Sequence, residues 1–276
     1  MATESAAGDA WAAPSAATKV ASALVSGAEV LAPLLAAPGR AAVLTDFDGT
    51  LSPVVDDPLS AVGLPGTAEV LHALTARYAA VAVVSGRPTS FLLERLGPGL
   101  RLSGLYGLEE VDGGGQLIVA AEALPWVAVV EEVVARAVAE LGEVVEPKGL
   151  SLTLHFRASP EREDEVRTWA VAAAARSGLL VRGAKASVEL HPPVSADKGT
   201  VVATICEGLG AACFLGDDLG DLPAFDALDR LARSGVHVVK VGVRTEESPV
   251  ELLERADLLV DGPEGALEVL RRLATA

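Results

Sequence analysis

The sequence predicts an α/β fold: a doubly wound parallel sheet interrupted by an inserted α+β module. Three observations predict it. Short apolar runs within 41–50, 80–86 and 211–218 are continuous rather than alternating, as strands covered on both faces by helices are. Helical segments lie between them. In the middle of the chain, GLSLTLHFR (149–157) and KASVELH (185–191) instead alternate apolar and polar residues, the pattern of strands with one buried face.

Residues 1–18 are rich in Ala, Ser and Gly without an apolar period, which reads as a disordered tail. A helix of Ala, Leu and Val is expected within 20–36. AAVLTDFDGT (41–50) is a buried strand running into acids and glycine. A helix over 67–79, a buried strand at 80–86, a helix from Thr89 to Leu96 and a third strand at 101–107 continue the alternation. The turn VDGGGQ (111–116) leads into an amphipathic helix over 124–141. In the next strand Leu150, Leu152, Leu154 and Phe156 share one face and Ser151, Thr153, His155 and Arg157 the other. A helix at 160–177 follows. Then Ala186, Val188 and Leu190 oppose Lys185, Ser187, Glu189 and His191. Half-buried antiparallel strands with two helices on one side make a small module, bounded at 109–193. The Rossmann-like core would comprise 19–108 and 194–276. Its second part holds a helix from Lys198 to Leu209, strands at 211–218, 236–242 and 256–262, and a closing helix.

Composition narrows the function classes. Of 276 residues, 38 are Asp or Glu against 22 Lys or Arg, a formal net charge of −16. Nucleic acids and anionic lipids are attracted by basic patches, so neither is an expected partner. No uncharged apolar run reaches the roughly 18–20 residues that span a bilayer. Cys206 and Cys213 sit in apolar contexts without adjacent histidine, which fits buried thiols rather than zinc ligands. Their use, with Glu4 and Asp9 ahead of any apolar run, points to a cytoplasmic protein. A monomer acting on a small molecule is expected. Trp126 and Trp169 read as packing residues on the insert helices, and His72 and His237 lie away from the motifs.

Ligands of open parallel sheets bind at the carboxyl ends of the strands. Three strands bring polar groups to that edge: Asp46, Asp48 and Thr50; Ser85 with Gly86 and Arg87; and Asp217, Asp218 and Asp221. Lys198 opens a helix nearby. Converging carboxylates repel unless a proton or cation intervenes, and Mg²⁺ suits hard oxygen ligands beside a phosphate. The cluster therefore suits metal-assisted phosphoryl transfer. An Asp nucleophile would form an aspartyl-phosphate, a second Asp two residues on would act as acid then base, and Ser85 and Lys198 would hold the phosphoryl charge.

At these residues the chain resembles the haloacid-dehalogenase-like phosphatases: Asp46-Phe-Asp48-Gly-Thr50, Ser85, Lys198 and Gly216-Asp217-Asp218-Leu-Gly-Asp221 match that group's four motifs in order. The resemblance implies that Asp46 is the nucleophile and Asp48 the general acid/base. Mg²⁺ would be held by Asp46, the Asp48 carbonyl and Asp217, with Asp218 and Asp221 on metal waters or on Lys198. The insert becomes a cap. From about residue 40 onward the chain is more closely similar to the trehalose-6-phosphate phosphatase family, through DFDGTLSPVVDDP (46–58), VVSGRP (83–88), EPKGLSLTLHFR (146–157), KASVELHPPVSADKG (185–199) and GDDLGDLPAF (216–225). That resemblance implies sugar contacts by Lys148, His155, Arg157, Lys185 and Glu189, with Gly86 and Arg87 on the substrate side of Ser85. Three positions depart from the family pattern. Tyr106 stands in a Gly-x-His-Gly segment, His191 replaces an Arg, and Gly220-Asp221 replaces Thr-Asp.

The expected function is Mg²⁺-dependent hydrolysis of trehalose 6-phosphate to trehalose and phosphate. The alternatives are the same chemistry on sucrose phosphate or a glycosyl-phosphoglycerate, and a non-catalytic sugar-phosphate sensor.

Overall fold

The computed structural model describes residues 29–275 apart from 56 and 185. The tail expected at 1–18, the start of the first helix and the candidate sugar contact Lys185 lie outside the described residues.

Eight strands form the large sheet, in the order β12-β11-β10-β1-β2-β3-β4-β5. They are β1 (Ala41–Thr45), β2 (Ala80–Val84), β3 (Arg101–Gly104), β4 (Glu109–Val111), β5 (Leu117–Val119), β10 (Ala211–Gly216), β11 (His237–Arg244) and β12 (Leu258–Asp261). All neighbours are parallel except the β3-β4 and β4-β5 pairs. All of β1 is buried because its residues feed two separate cores. Ala41 and Val43 pack with helices α1 (29–36), α2 (Thr67–Thr75), α3 (Thr89–Leu96) and α9 (Gly262–Thr275). Ala42 and Leu44 pack with α6 (Lys198–Ile205), α7 (Leu222–Arg233) and α8 (Val250–Arg255). Two apolar faces explain the continuous runs.

A second, antiparallel sheet has the order β6-β7-β9-β8. Its strands are β6 (Val145–Pro147), β7 (Leu152–His155), β8 (Leu180–Ala184) and β9 (Ser187–His191). Helices α4 (Val127–Leu141) and α5 (Glu163–Ser177) cover one face, where Val130, Val133, Val166 and Ala170 meet Leu152, Leu154, Val188 and Leu190.

Several expectations shift. The insert was expected to start at 109, yet β4 and β5 form a hairpin that lengthens the large sheet beyond β3. The third strand stops at Gly104, because Leu105 (φ 50) and Tyr106 (φ 59) turn left-handed. The helix opened by Lys198 ends at Ile205 rather than Leu209. The polar face of the small sheet is not solvated: Thr153, Ser187, Glu189 and His191 are all buried. Strands β6 and β8 and helix α8 are short and carry no pattern that separates them from loops or neighbouring elements; helix α7 was not expected, although Leu222, Phe225, Leu228 and Leu231 recur at helical spacing. No helix among the described residues is long and apolar enough to cross a membrane.

Candidate active site

The carboxyl ends of β1, β2 and β10 lie side by side, since β1 pairs with both other strands. Asp46 follows β1 directly, and its N–H donates to the Leu215 carbonyl at 2.9 Å, extending the ladder by one bond. The chain then folds back through Gly49, whose N–H donates to the Ser52 carbonyl at 2.7 Å. Gly49 has φ +76, and a Cβ there would collide with the Asp217 carboxylate. Only glycine satisfies both the dihedral and the approach.

Lys198 is the first residue of α6, a helix capped by Asp197 and Thr200 in a reciprocal box. Its buried Nζ lies 2.8 Å from Asp46 Oδ1 and 2.7 Å from Asp221 Oδ1. Asp221 also accepts the N–H groups of Asp217 (2.9 Å) and Asp218 (3.1 Å), which folds the loop after β10 onto itself. A side chain at Gly216 would strike the Asp221 carboxyl. Thr50 donates to Asp217 Oδ1 at 3.3 Å. Asp218 accepts the Gly220 N–H at 2.8 Å. Ser85 is buried, and its Oγ accepts the Arg87 N–H at 3.2 Å.

Asp46, Asp218 and Asp221 thus crowd around one ammonium, with Asp217 beside Asp46. Burial, and then the charges of Asp221, Asp217 and Asp218, hold the Asp46 carboxyl well above its ordinary range, with Lys198 opposing them. Burial works against the Lys198 charge, but Asp221 and Asp46 outweigh it and hold its pKa well above the ordinary value. One oxygen each from Asp46, Asp218 and Asp221 lies within 4.8 Å of the others. This acidic group can hold a metal. The donor set, all oxygen and negative in excess, fits a hard divalent cation. Of the expected ligands, the Asp46 carboxylate belongs to this group; the Asp217 carboxylate lies beside it, against Gly49 and Thr50, and Asp48 would offer only its main-chain carbonyl.

Asp48 receives a two-pronged hydrogen bond from Arg87, Nε at 2.7 Å and Nη2 at 2.9 Å. Arg87 in turn lies 3.7 Å from Glu146 on β6. Glu146 meets His155 at 2.6 Å and Lys148 at 4.0 Å, and Lys148 Nζ donates to the Gly86 carbonyl at 3.4 Å. Burial alone would raise the Glu146 carboxyl; the His155 hydrogen bond and the Lys148 charge outweigh it and hold the group below its usual range. The small sheet therefore reaches the edge of the large one through charged side chains. These residues line a cleft of about 170 Å³ that also touches Thr153, Ser187, Glu189, Asp217 and Asp218. Arg157 lines it as well, but its guanidinium is paired with Glu247 at 2.8 and 3.2 Å.

Tyr106 and Asp218 line both this cleft and an adjoining cavity of about 540 Å³ that Arg182, Asp197 and Glu247 also line. The Tyr106 ring lies so close to Gly86 that a Cβ there would come within 2.7 Å. The left-handed turn carrying it is fixed by two bonds to the loop after β2: Leu105 N–H to the Arg87 carbonyl and Tyr106 N–H to the Ser85 carbonyl, each 3.0 Å.

Sequence reasoning brought Asp46, Asp48, Thr50, Ser85, Gly86, Arg87, Lys148, His155, Arg157, Glu189, Lys198 and Asp217 to one region, and the structure gathers them there. It overlooked Glu146, Arg182 and Glu247. Glu146 lies on a three-residue strand too short to show a period. Arg182 and Glu247 become neighbours only through tertiary contact.

The trehalose-phosphatase family model matches residues 44–255. The trehalose-phosphate phosphatase of Mycobacterium leprae is 35% identical over 217 residues, covering 72% of this chain and 50% of the relative. That of Mycobacterium tuberculosis H37Rv is 35% identical over 253 residues, covering 84% of this chain and 61% of the relative. The chain spans half to about three fifths of the length of these curated relatives. Among solved structures, the C-terminal domain of Candida albicans trehalose-6-phosphate phosphatase superposes with a TM-score of 0.72 at 23% identity, covering 89% of this chain and 96% of that one. The C-terminal domain of the Candida albicans trehalose synthase regulatory protein superposes at 0.63 with 15% identity, covering 90% and 97%. Such likenesses carry the fold alone. The family match, spanning both halves of the large sheet and the insert between them, is what decides membership: the chain belongs to the trehalose-phosphatase family.

Proposed function

We propose that this chain hydrolyses trehalose 6-phosphate to trehalose and inorganic phosphate, as a Mg²⁺-dependent phosphomonoesterase that forms an aspartyl-phosphate on Asp46. The observation that carries the reading is the buried Asp46–Lys198–Asp221 array, set beside the Arg87–Asp48 pair and beneath the polar face of the small sheet. Residues 120–193 act as a cap over a core formed by the flanking segments.

Asp46 attacks phosphorus with the oxygen not held by Lys198, and the bond to the sugar oxygen breaks. Asp48 gives its proton to that leaving oxygen, then takes one from the water that cleaves the acyl phosphate and regenerates Asp46. Release of Asp48 from Arg87 is part of substrate entry, because a carboxylate held by a guanidinium is a poor proton donor. Lys198, the Ser85 hydroxyl and Arg87 hold the phosphoryl oxygens. Asp46, the Asp48 carbonyl and Asp217 would hold Mg²⁺, with Asp218 beside them and Asp221 engaged by Lys198 and the loop N–H groups. The metal when bound neutralises phosphate charge and relieves repulsion within the acidic group. Glu189, Lys148 and His155 bind sugar hydroxyls. The enzyme works as a cytoplasmic monomer.

Phosphate release from trehalose 6-phosphate, other phosphosugars and p-nitrophenyl phosphate, with and without Mg²⁺, tests this. A Mg²⁺-dependent preference for trehalose 6-phosphate, abolished in Asp46→Asn, is expected. Equal turnover of every ester would discard the sugar assignment. Inactivity on all of them would discard the enzyme.

A further inference from the structure

A single polar row crosses the small sheet. In register, Glu146 on β6 stands opposite Thr153 on β7, Thr153 opposite Glu189 on β9, and Glu189 opposite Arg182 on β8. Directly opposed residues project from the same face. Three members of the row have partners. Glu146 meets His155, and Glu189 accepts from Ser151 Oγ at 2.7 Å and Arg182 Nη1 at 3.5 Å.

Thr153 differs. It is 4% exposed, lines the 170 Å³ cleft, and its Oγ1 has no hydrogen-bond partner among the described residues. A buried hydroxyl without a partner is less stable than the valine methyl that would replace it. The strand therefore needs threonine here only if something in the cleft bonds to it.

Arg182 ends the row. Its guanidinium lies 4.0 Å from the Tyr106 ring centroid and lines the 540 Å³ cavity with Asp218. A guanidinium has five N–H donors, and the Glu189 contact uses Nη1. His191 offers no equivalent cation. It donates Nδ1–H to its neighbour's carbonyl at 2.9 Å, and burial together with the Arg182 charge disfavours its protonated form.

We propose that Thr153 and Arg182 are specificity-determining sugar contacts: Thr153 Oγ1 bonds a hydroxyl of the ring nearest the phosphate, and Arg182 bonds hydroxyls of the part of the substrate that reaches past Tyr106 into the larger cavity. The cleft alone is small for a disaccharide phosphate, whereas the larger cavity falls in the roughly 300–1,000 Å³ range of small-molecule sites. This inference rests on the phosphosugar reading above.

The test is the ratio of kcat/KM for trehalose 6-phosphate to kcat/KM for p-nitrophenyl phosphate, which has no sugar. Thr153→Val should lower the ratio about tenfold, the effect of one lost hydrogen bond. Thr153→Ser should restore it to within about threefold. Arg182→Gln should lower it roughly ten- to a hundredfold. Thr153→Val should also melt no lower than the parent, since the threonine hydroxyl bonds none of the described residues. A ratio within about twofold of the parent in both variants overturns the proposal, and a lower Tm in Thr153→Val assigns that hydroxyl to the fold instead. If the unaltered protein itself shows no preference for the sugar ester, the functional reading fails and the proposal with it. If the preference exists and survives both substitutions, only the proposal fails.

Discussion

Replacing Lys198 by methionine keeps the length of the side chain and deletes its charge. The ammonium is 3% exposed and sits 2.8 Å from Asp46 and 2.7 Å from Asp221. At an effective dielectric of about 20, each contact is a gross attraction of roughly 6 kcal/mol. Desolvation of the ions cancels much of it, and removing one partner of such a buried pair costs about 3–5 kcal/mol. At about 2–4 °C per kcal/mol, Tm should fall by roughly 6–20 °C in protein stripped of divalent cations at pH 8. The loss is pH-dependent. Asp46 and Asp221 already titrate above their ordinary range, burial being the main cause, and losing Lys198 raises both further. A carboxyl whose folded pKa is raised contributes stability below its unfolded value, near 4, and loses it as pH rises through the folded value. The deficit of Lys198→Met should therefore be smallest near pH 4 and largest above neutrality, and excess Mg²⁺ should recover part of it. Circular-dichroism melts of both proteins at several pH values decide the matter. A Tm within about 3 °C of the parent at pH 8 would refute the reasoning.

Gly49→Ala should lose phosphatase activity and about 2–4 kcal/mol of stability, because the new Cβ meets the Asp217 carboxylate at φ +76. Urea unfolding and phosphate release check this; a variant with parental stability and turnover contradicts it. The Glu146 carboxyl titrates below its usual range, so its stabilisation is present above pH ~4.5 and disappears as pH falls through the folded value. Glu146→Gln should thus be less stable than the parent at pH 7, and the two melting curves should converge below pH ~4. Burial pushes the Cys206 and Cys213 thiols up to about 12. Neither should react with a disulfide reagent at pH 8 until denaturant is added, whereas a prompt native-state reaction would place one of them at the surface.

The large sheet was legible because continuous apolar runs admit one reading, strands with helices on both faces, and the acids that end those runs had to meet at one edge. Asp46, Ser85, Lys198 and Asp217 needed no tertiary information. The rest depended on contacts that local pattern does not encode. Strands β6 and β4 have three residues each, too few for periodicity. The β4-β5 hairpin turns through VDGGGQ (111–116), and only its pairing to β3 assigns it to the large sheet. Alternation at 149–157 and 185–191 identified the polar face correctly but not its burial, since alternation looks the same whether that face meets water or another domain. The partners of Arg87, Arg157 and Arg182 come from other elements and carry no sequence signal.

The order of the strands also bears on how the chain can assemble during synthesis. β1 lies between β10 and β2, so Ala41 waits for Ala211 to leave the ribosome before its second edge is covered. Until then β1, β2 and β3 offer an apolar edge open to other chains. The insert has no such delay: its four strands and two helices are contiguous from Val127 to His191 and share their own core. Low contact order lets such a unit form early. The small sheet would thus be in place while Asp217, Asp218 and Asp221, three of the four clustered aspartates, are still untranslated. The Asp46 loop is made first, Lys198 follows, and Asp217, Asp218 and Asp221 come last, so a partly made chain has no means of assembling the charged site prematurely.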